Sequence, residues 1–431
     1  MKHYYLIGGS RVCADGADFK AMLAAAHTAK ERPLCLCMDP GIPMYVASLA
    51  NGHLIKRMPN TGNQHSPDCE SFEPPIELSG LGEVSGTAIV EDADTGATSL
   101  KLDFSLTKTA GRAAPLAGGM EADTVRTDGT KLTLRGLLHY LWEEASLNRW
   151  TPAMEGKRRW YVVRKALLGA AFSKSAKGQA LGARLFVPET FSMDHKQDIE
   201  RRRTDAFAQL YASTSKKREL MLLVGEVKAV IPARYGFKVV IKHLPDLSFT
   251  LDEQLAKRME KRFKDELALW NADESTHLVV IATFGIGPAG MLAIEEMAFM
   301  LTSVNWIPIE GVYDQQLINT LTQAGRRFTR GLRYNMASER PVATAVTTDT
   351  RPNPVAMYVV APGATDTHTA ALKALIDEST FPSWVWQVGV VPFPPLPGVL
   401  GYQPESVDLT RRDVDDNAAD DNVEEMEFDH E

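Results

Sequence analysis

Cys35-Leu36-Cys37 and His65-Ser66-Pro67-Asp68-Cys69 carry the clearest chemistry in this sequence. Thiolate sulfur and imidazole nitrogen are donors that zinc takes, and three cysteines with one histidine fill all four positions of a tetrahedral ion. A closed set of this kind implies a structural Zn2+, because a catalytic zinc keeps one position open for water. Alternate residues of an extended segment point the same way, so Cys35 and Cys37 can present their sulfurs on one side. A chain reversal between the pairs then returns His65 and Cys69 at a ligand spacing common in zinc modules. Cys-x-Cys is tighter than the usual Cys-x2-Cys, and the competing reading is buried free thiols beside an unrelated histidine. The fourth cysteine, Cys13, lies outside the pattern and reads as core.

Glu226-Val227-Lys228 lies on an apolar, strand-like run from Leu220 to Ile231, with Asp194, Asp198 and Asp205 upstream. Clustered carboxylates with a lysine are what a metal-dependent nuclease needs to hold an ion and activate water. Strand residues 226 and 228 share a face, so a solvent-exposed cross-strand charge pair is the commoner explanation. Three basic clusters, Lys157-Arg158-Arg159, Arg201-Arg202-Arg203 and Lys216-Lys217-Arg218, have Trp150, Trp160, Tyr161 and Tyr211 nearby. Clustered cations neutralise phosphates and aromatic rings stack on bases, while the alternative is a set of solvated helix faces.

Gly285-Ile286-Gly287-Pro288-Ala289-Gly290, with Glu310 beyond it, has the spacing of a dinucleotide-binding turn. No βαβ units flank it, and a glycine-rich turn between two strands is the simpler reading. His139 sits between apolar neighbours on a helix and reads as structural, and no Ser/His/Asp arrangement or phosphate loop is recognisable.

Periodicity supplies the elements that position these groups. Strands over His3 to Ile7 and Pro33 to Cys37 surround a helix from Ala17 to Thr28, and Asn51-Gly52 between two β-prone runs marks a hairpin. Helices follow over Leu134 to Leu147 and Arg159 to Phe172, then strands over Ala183 to Val187, Leu220 to Ile231 and Phe237 to His243. A charged helix spans Leu251 to Trp270, and a strand runs from His277 to Phe284. The last third reads helix (Tyr313 to Ala324), three strands (Thr329 to Tyr334, Val342 to Thr348, Val355 to Val360), helix (Thr367 to Ser379) and strand (Trp384 to Val390). The small, aperiodic stretch 109–129 reads as a domain boundary, and Val391 to Pro397 as a stiff extended linker.

The 431 residues exceed one ordinary core, and 44% hydrophobic with 24% charged residues is a globular balance. The net charge of −8 conceals an uneven distribution, because residues 413–431 hold ten acidic side chains and no Lys or Arg. Residues 155–242 hold nineteen Lys/Arg against eight Asp/Glu. The chain thus has a basic middle and an acidic tail, which reads as disordered. A signal-peptide core and an apolar run of membrane-spanning length are both missing, so the expected location is cytoplasmic, where few cysteines favour metal over disulfides.

The run CLCMDPGIPMYVASLANGHLIKRMPNTGNQHSPDC, with GLLHYLWEEASLNRWTPAMEGKRRW, LLVGEVKAV and GRRFTRGLRYN, resembles a bacterial family catalogued as domain of unknown function 1173. The resemblance covers nearly the whole chain apart from the acidic tail, and implies a link to plasmids and integrative elements. The αβββαβ order of the last third is similar to the restriction-endonuclease-like nucleases. Val342-Ala343-Thr344 and Met357-Tyr358-Val359-Val360 stand where such a nuclease carries aspartate and Glu-x-Lys, which implies an inactive site.

The sequence therefore reads as a multidomain α+β protein. It comprises a zinc-ribbon-like module (1–108), a basic middle α/β domain (130–275), a C-terminal domain resembling a degenerate nuclease (276–390) and the tail 405–431. The expected role is a non-catalytic accessory protein of mobile elements that binds DNA or a DNA-processing partner. A nuclease using Glu226 and Lys228, and a zinc-stabilised interaction scaffold, are the alternatives.

Overall fold

The computed structural model describes residues 3–49, 52–92, 96–109, 129–211, 217–234, 236–287, 290–400 and 409. The expected acidic tail, but for Leu409, and most of the expected boundary at 109–129 lie outside these residues. The described chain is a mixed α+β structure built on several sheets.

Strands β1 (Tyr4–Ile7), β2 (Ser10–Cys13), β3 (Leu34–Cys35), β4 (Ile42–Leu49) and β5 (Gly52–Arg57) form the first sheet, in the order β2-β1-β3-β4-β5. Helix α1 (Phe19–Thr28) covers it, burying Leu23 and Ala26 in a core with Tyr5, Ile7, Ile42 and Met44. Leu49 opposite Gly52 closes the expected hairpin. The expected strand over Pro33 to Cys37 pairs only as far as Cys35, and Cys37 falls in the turn leading into β4.

Helices α2 (Leu134–Glu144) and α3 (Trp160–Phe172) pack centrally, separated by the two-residue strand β6 (Arg149–Trp150). Thr133 caps α2 through a hydrogen bond from Gly136 N, and its apolar residues recur tightly enough to bury Leu137, Leu138, Leu141 and Trp142 completely.

The middle of the chain closes into a barrel. Its strands are β7 (Met221–Pro232), β8 (Phe237–Ile241) and β9 (Ser248–Leu251), then, after helices α4 (Glu253–Arg262) and α5 (Lys264–Ala272), β10 (His277–Ile286) and β11 (Leu292–Thr302). Antiparallel pairs join β7 to β8, β8 to β9, β10 to β11 and β7 to β10, and a parallel contact joins β9 to β11. The ring therefore runs β7-β8-β9-β11-β10 and back to β7. One long strand serves two neighbours, because Met221–Glu226 pairs with β10 and Val227–Pro232 with β8. The bend is a β-bulge: Val227 faces Ile241 and Ala229 faces Val240, which leaves Lys228 as the extra residue. Gly225 permits the tight curvature beside it, since a Cβ there would lie 2.8 Å from Ile241 Cγ2. Val239, Ile241, Phe249 and Phe284 fill the interior, the two phenylalanine rings meeting edge to face at 5.2 Å.

The single charged helix expected over Leu251 to Trp270 is broken at Phe263, whose buried ring packs on Phe299. The expected boundary at 275/276 falls inside the barrel, where the β7–β10 hydrogen bonds cross it.

The last sheet comprises β12 (Phe328–Thr329), β13 (Ala345–Thr347), β14 (Val355–Val360) and β15 (Ser383–Gln387), with β6 from the central region added at its edge. Helix α6 (Val312–Gln323) precedes it, and α7 (Asp366–Glu378) connects the parallel pair β14 and β15, so the expected helix, strand and helix order is observed. The expected strand over Thr329 to Tyr334 pairs only at its start, and Tyr334 takes a left-handed φ of 51°. Among the described residues, no helix is long and apolar enough to cross a membrane.

Candidate metal centre

Two elements deliver the four ligands. Cys35 ends β3 and Cys37 occupies the turn after it, while His65 and Cys69 lie on the loop that follows β5, His65 at the end of a short 3-10 turn over Gly62–Gln64. Their ligand atoms all lie within 4.8 Å of one another. Cys35 Sγ is 3.7 Å from Cys69 Sγ, and His65 Nδ1 is 3.3 Å from Cys37 Sγ and 3.7 Å from Cys69 Sγ. A tetrahedral ion with bonds of about 2.3 Å to sulfur and about 2.0 Å to nitrogen holds its ligand atoms about 3.5 to 3.8 Å apart, so the constellation has the size of a metal site. Cys35, His65 and Cys69 are buried, and Cys37 is half-buried.

Three thiols and an imidazole at this spacing share protons unevenly. The hydrogen bond from Cys35, followed by those with His65 and the Ser71 N–H at 3.4 Å, draws Cys69 down to about 3 against the opposing effect of burial. The same bond and burial push Cys35 far up, and burial raises Cys37. A cation would relieve this by stabilising all three sulfurs as thiolates. Nδ1 is the His65 nitrogen directed at the sulfurs, and Nε2 is buried without a hydrogen-bond partner among the described residues.

Asp68, inside the ligand loop, forms ion pairs with Arg327 and Arg351 of the C-terminal sheet region. These contacts hold its carboxyl below the usual range although burial opposes them. Arg149, on β6, donates to Glu70 O at 2.6 Å and to Glu73 at 3.1 Å, and Glu73 also pairs with Arg57. The ligand loop is thereby fastened to β6 and to the last sheet, which β6 itself joins. Sequence reasoning missed this latch, because the partners of Asp68 lie 259 and 283 residues away and no local pattern marks them.

A family model described as a protein of unknown function (DUF1173) matches residues 5–389. The chain belongs to this family. No curated protein and no solved structure matches it. In this DUF1173 chain the matched span includes all four metal-site residues, the barrel and the C-terminal sheet, and stops short of the acidic tail.

The other expected site residues are placed differently. Glu226 is buried rather than solvent-exposed, and its Oε1 accepts from Lys242 Nζ and lies 2.8 Å from His277 Nδ1. Lys228 is exposed on the bulge, so the expected shared face of 226 and 228 is broken by that extra residue. Asp198 pairs with Arg201, Asp194 and Asp205 are exposed, and among the described residues Cys35, Cys37, His65 and Cys69 form the one metal-sized group. Among the described residues, no group of three or more metal-ligating side chains includes Glu226.

Of the basic clusters, Arg158, Arg201, Arg202 and Arg203 are paired within the chain. Arg158 lies over the Trp150 ring and donates to Leu147 O at 2.8 Å and Ser146 O at 3.3 Å, while Lys157 and Arg159 are exposed. Arg201 bonds Asp198 at 2.8 Å, Arg202 grips Glu189 with two bonds of 2.9 and 2.8 Å, and Arg203 bonds Asp246 at 3.0 Å. Lys216 lies outside the described residues, Lys217 belongs to a short strand pairing with Thr107–Thr109, and Arg218 is exposed. Trp150 and Trp160 are buried and cannot stack on bases, whereas Tyr161 and Tyr211 are exposed.

The glycine-rich turn joins β10 to β11 as antiparallel neighbours, Ile286 facing Leu292, so no helix follows it to receive a pyrophosphate. His139 is buried and accepts from Tyr334 N at 2.9 Å, and burial holds it at about 3, a neutral structural acceptor.

Proposed function

We propose that this chain binds single-stranded nucleic acid on the outer face of its barrel, with a structural Zn2+ fixing the N-terminal module. The observation that carries the reading is the strand order. The ring is β7-β8-β9-β11-β10, and counted along the chain the first strand bends to serve the second and fourth, the third and fifth run parallel, and helices sit between the third and fourth. That is the topology of the OB-fold, whose second and third strands and adjoining loops receive oligonucleotides or oligosaccharides.

Fold alone does not choose between those ligands, and the chemistry of the face does. From Val227 to Leu244 the chain carries Lys228, Arg234, Lys238 and Lys242 and no acidic residue. Val230 and Ile231 add exposed apolar surface beside them. A cationic, acid-free strip with apolar patches suits a phosphate backbone with unstacked bases. For the metal, three thiolates with one imidazole and no open position favour zinc in a structural role. The helix, strand and helix order over 312–387 supports reading that segment as a nuclease-like domain without a carboxylate site, and the accessory role on mobile DNA stays part of the same proposal.

Fluorescence anisotropy with single-stranded and duplex oligonucleotides, titrated with salt, tests the barrel reading. The single strand should bind at low salt and weaken steeply as salt rises. In a Lys228→Glu, Lys238→Glu variant the log–log salt slope should shrink by about 0.7 for each lost phosphate contact. Absence of binding at low salt, or an unchanged slope in the variant, would overturn it. Metal analysis of chain purified without chelator should return about one zinc per chain.

A further inference from the structure

Beside the C-terminal sheet lies a cavity of ≈ 30 Å³ that opens partly to solvent, none of whose lining residues belongs to the metal centre or to the barrel face. Its polar walls come from Glu310, Asp314, Arg330, Arg333, Tyr358 and His368. Tyr358, on β14, is 2% exposed and its hydroxyl has no hydrogen-bond partner among the described residues. A buried hydroxyl without a partner is unfavourable, so something absent from the chain itself should accept from it.

The surrounding charges identify what that is. Arg330 is saturated, donating to Pro308 O at 3.2 Å, Gly331 O at 2.6 Å, Ala343 O at 3.3 Å and Asp314 Oδ2 at 2.6 Å. Arg333 donates through Nε to Glu310 and through Nη1 to Ala337 O and Arg340 O, and among the described residues its Nη2 makes no such bond. Both carboxylates are thus already matched by guanidinium groups, which leaves a cation no unpaired ligand. Arg135, which donates to the carbonyls of Tyr334 and Met336 and acts on Glu310 electrostatically, adds a positive charge that neither carboxylate bonds.

The first turns of two helices, each longer than three turns, contribute one lining residue apiece. Asp314 is the third residue of α6 and His368 the third residue of α7. His368 Nδ1 is 2.9 Å from Glu339 O and donates to it, so Nε2 is left to accept a proton-bearing oxygen. We propose that this cavity binds a small oxyanion of the phosphate class, with the Tyr358 hydroxyl and the Arg333 guanidinium donating to it between the two helix N-termini. The source is free phosphate or the terminal phosphate of an oligonucleotide.

Calorimetric titration of the dialysed full chain with inorganic phosphate tests this without reference to the barrel. Wild type should bind, and Tyr358→Phe, which keeps the ring, should weaken binding about ten-fold or more with no loss of melting temperature in phosphate-free buffer. Arg333→Lys keeps a positive charge beside Glu310 but loses the second amino group of the fork, and should also weaken it. No binding, or an affinity unchanged in Tyr358→Phe, would mean that ordered water alone fills the cavity and would overturn the proposal. Competition by a 5′-phosphorylated oligonucleotide but not by its 5′-hydroxyl counterpart assigns the site to a nucleic-acid end. Phosphate binding without that competition assigns it to the free anion.

Discussion

Replacing Asp68 by asparagine keeps the shape of the ligand loop and removes the charge that ties it to the last sheet. The Asp68 side chain is 20% exposed, but Arg327 and Arg351 are each 37% exposed. Solvent therefore screens both pairs, and each contributes about 0.5 to 1 kcal/mol instead of the several kcal/mol of a fully buried pair. The combined loss is about 1 to 2 kcal/mol, which corresponds to roughly a five- to thirty-fold change in an equilibrium constant. Because Asp68 stands between two ligands, that loosening should appear in metal affinity as well as in stability, in line with the usual about 10- to 100-fold effect of groups that orient ligands. Competition with a chromogenic chelator at fixed pH reads the zinc affinity of wild type and Asp68→Asn, and urea midpoints read the stability. Zinc affinity should fall about ten-fold, and the difference should shrink at high salt. A lower urea midpoint with unchanged zinc affinity would refute the reasoning, since the latch would then hold the sheet without ordering the loop.

Three further outcomes are expected. Glu226→Gln should destabilise the chain by about 1 to 2 kcal/mol at pH 7, because a neutral amide oxygen replaces the buried carboxylate that faces Lys242 and His277. Burial opposes ionisation of Glu226, but His277 and Lys242 hold its pKa below 4.5, so the wild-type advantage is present above that value and fades as thermal unfolding is followed to lower pH. Burial first, and Asp103 next, push Glu296 from 4.5 up to about 7, so its contribution is present below pH 4.5 and lost as pH rises through 7. Glu296→Gln should accordingly raise the melting temperature at pH 8, equivalent to about 1 kcal/mol, and do little at pH 4. Gly80 N donates to Leu332 O at 2.8 Å, and a Cβ there would lie 2.0 Å from Arg333 O, so Gly80→Ala should cost about 2 kcal/mol or more in denaturant titration.

Local information made the metal-site residues readable. Each pair is set within five residues, and the hairpin that returns the chain between them announces itself through Asn51-Gly52. Helices α2, α3, α6 and α7 were legible for the same reason, since their apolar spacing is a property of one segment. The barrel was not, because it is defined by closure: Glu226 meeting Val279 and Thr250 meeting Ala293 are pairings across long sequence separations that leave no local trace. The partners of the basic clusters were equally hidden. Arg202 and Arg203 look like free cations in sequence, and their partners Glu189 and Asp246 become neighbours only in three dimensions. In sequence Tyr358 only marks the absence of a Glu-x-Lys, and its unpaired hydroxyl beside a cavity is visible in three dimensions alone.

The distance along the chain between Asp68 and its arginines also sets a clock during biosynthesis. At roughly 5 to 20 residues per second, the 259 residues from Asp68 to Arg327 take about 13 to 50 seconds to be made. Throughout that interval the nascent ligand loop has its cysteines and histidine in place but lacks the anchors that fix it. A metal ion captured early would have to be held by a module not yet fastened, and thiols left empty would stay open to oxidation. Slowing translation between residues 70 and 327 should therefore increase the fraction of chains recovered without metal.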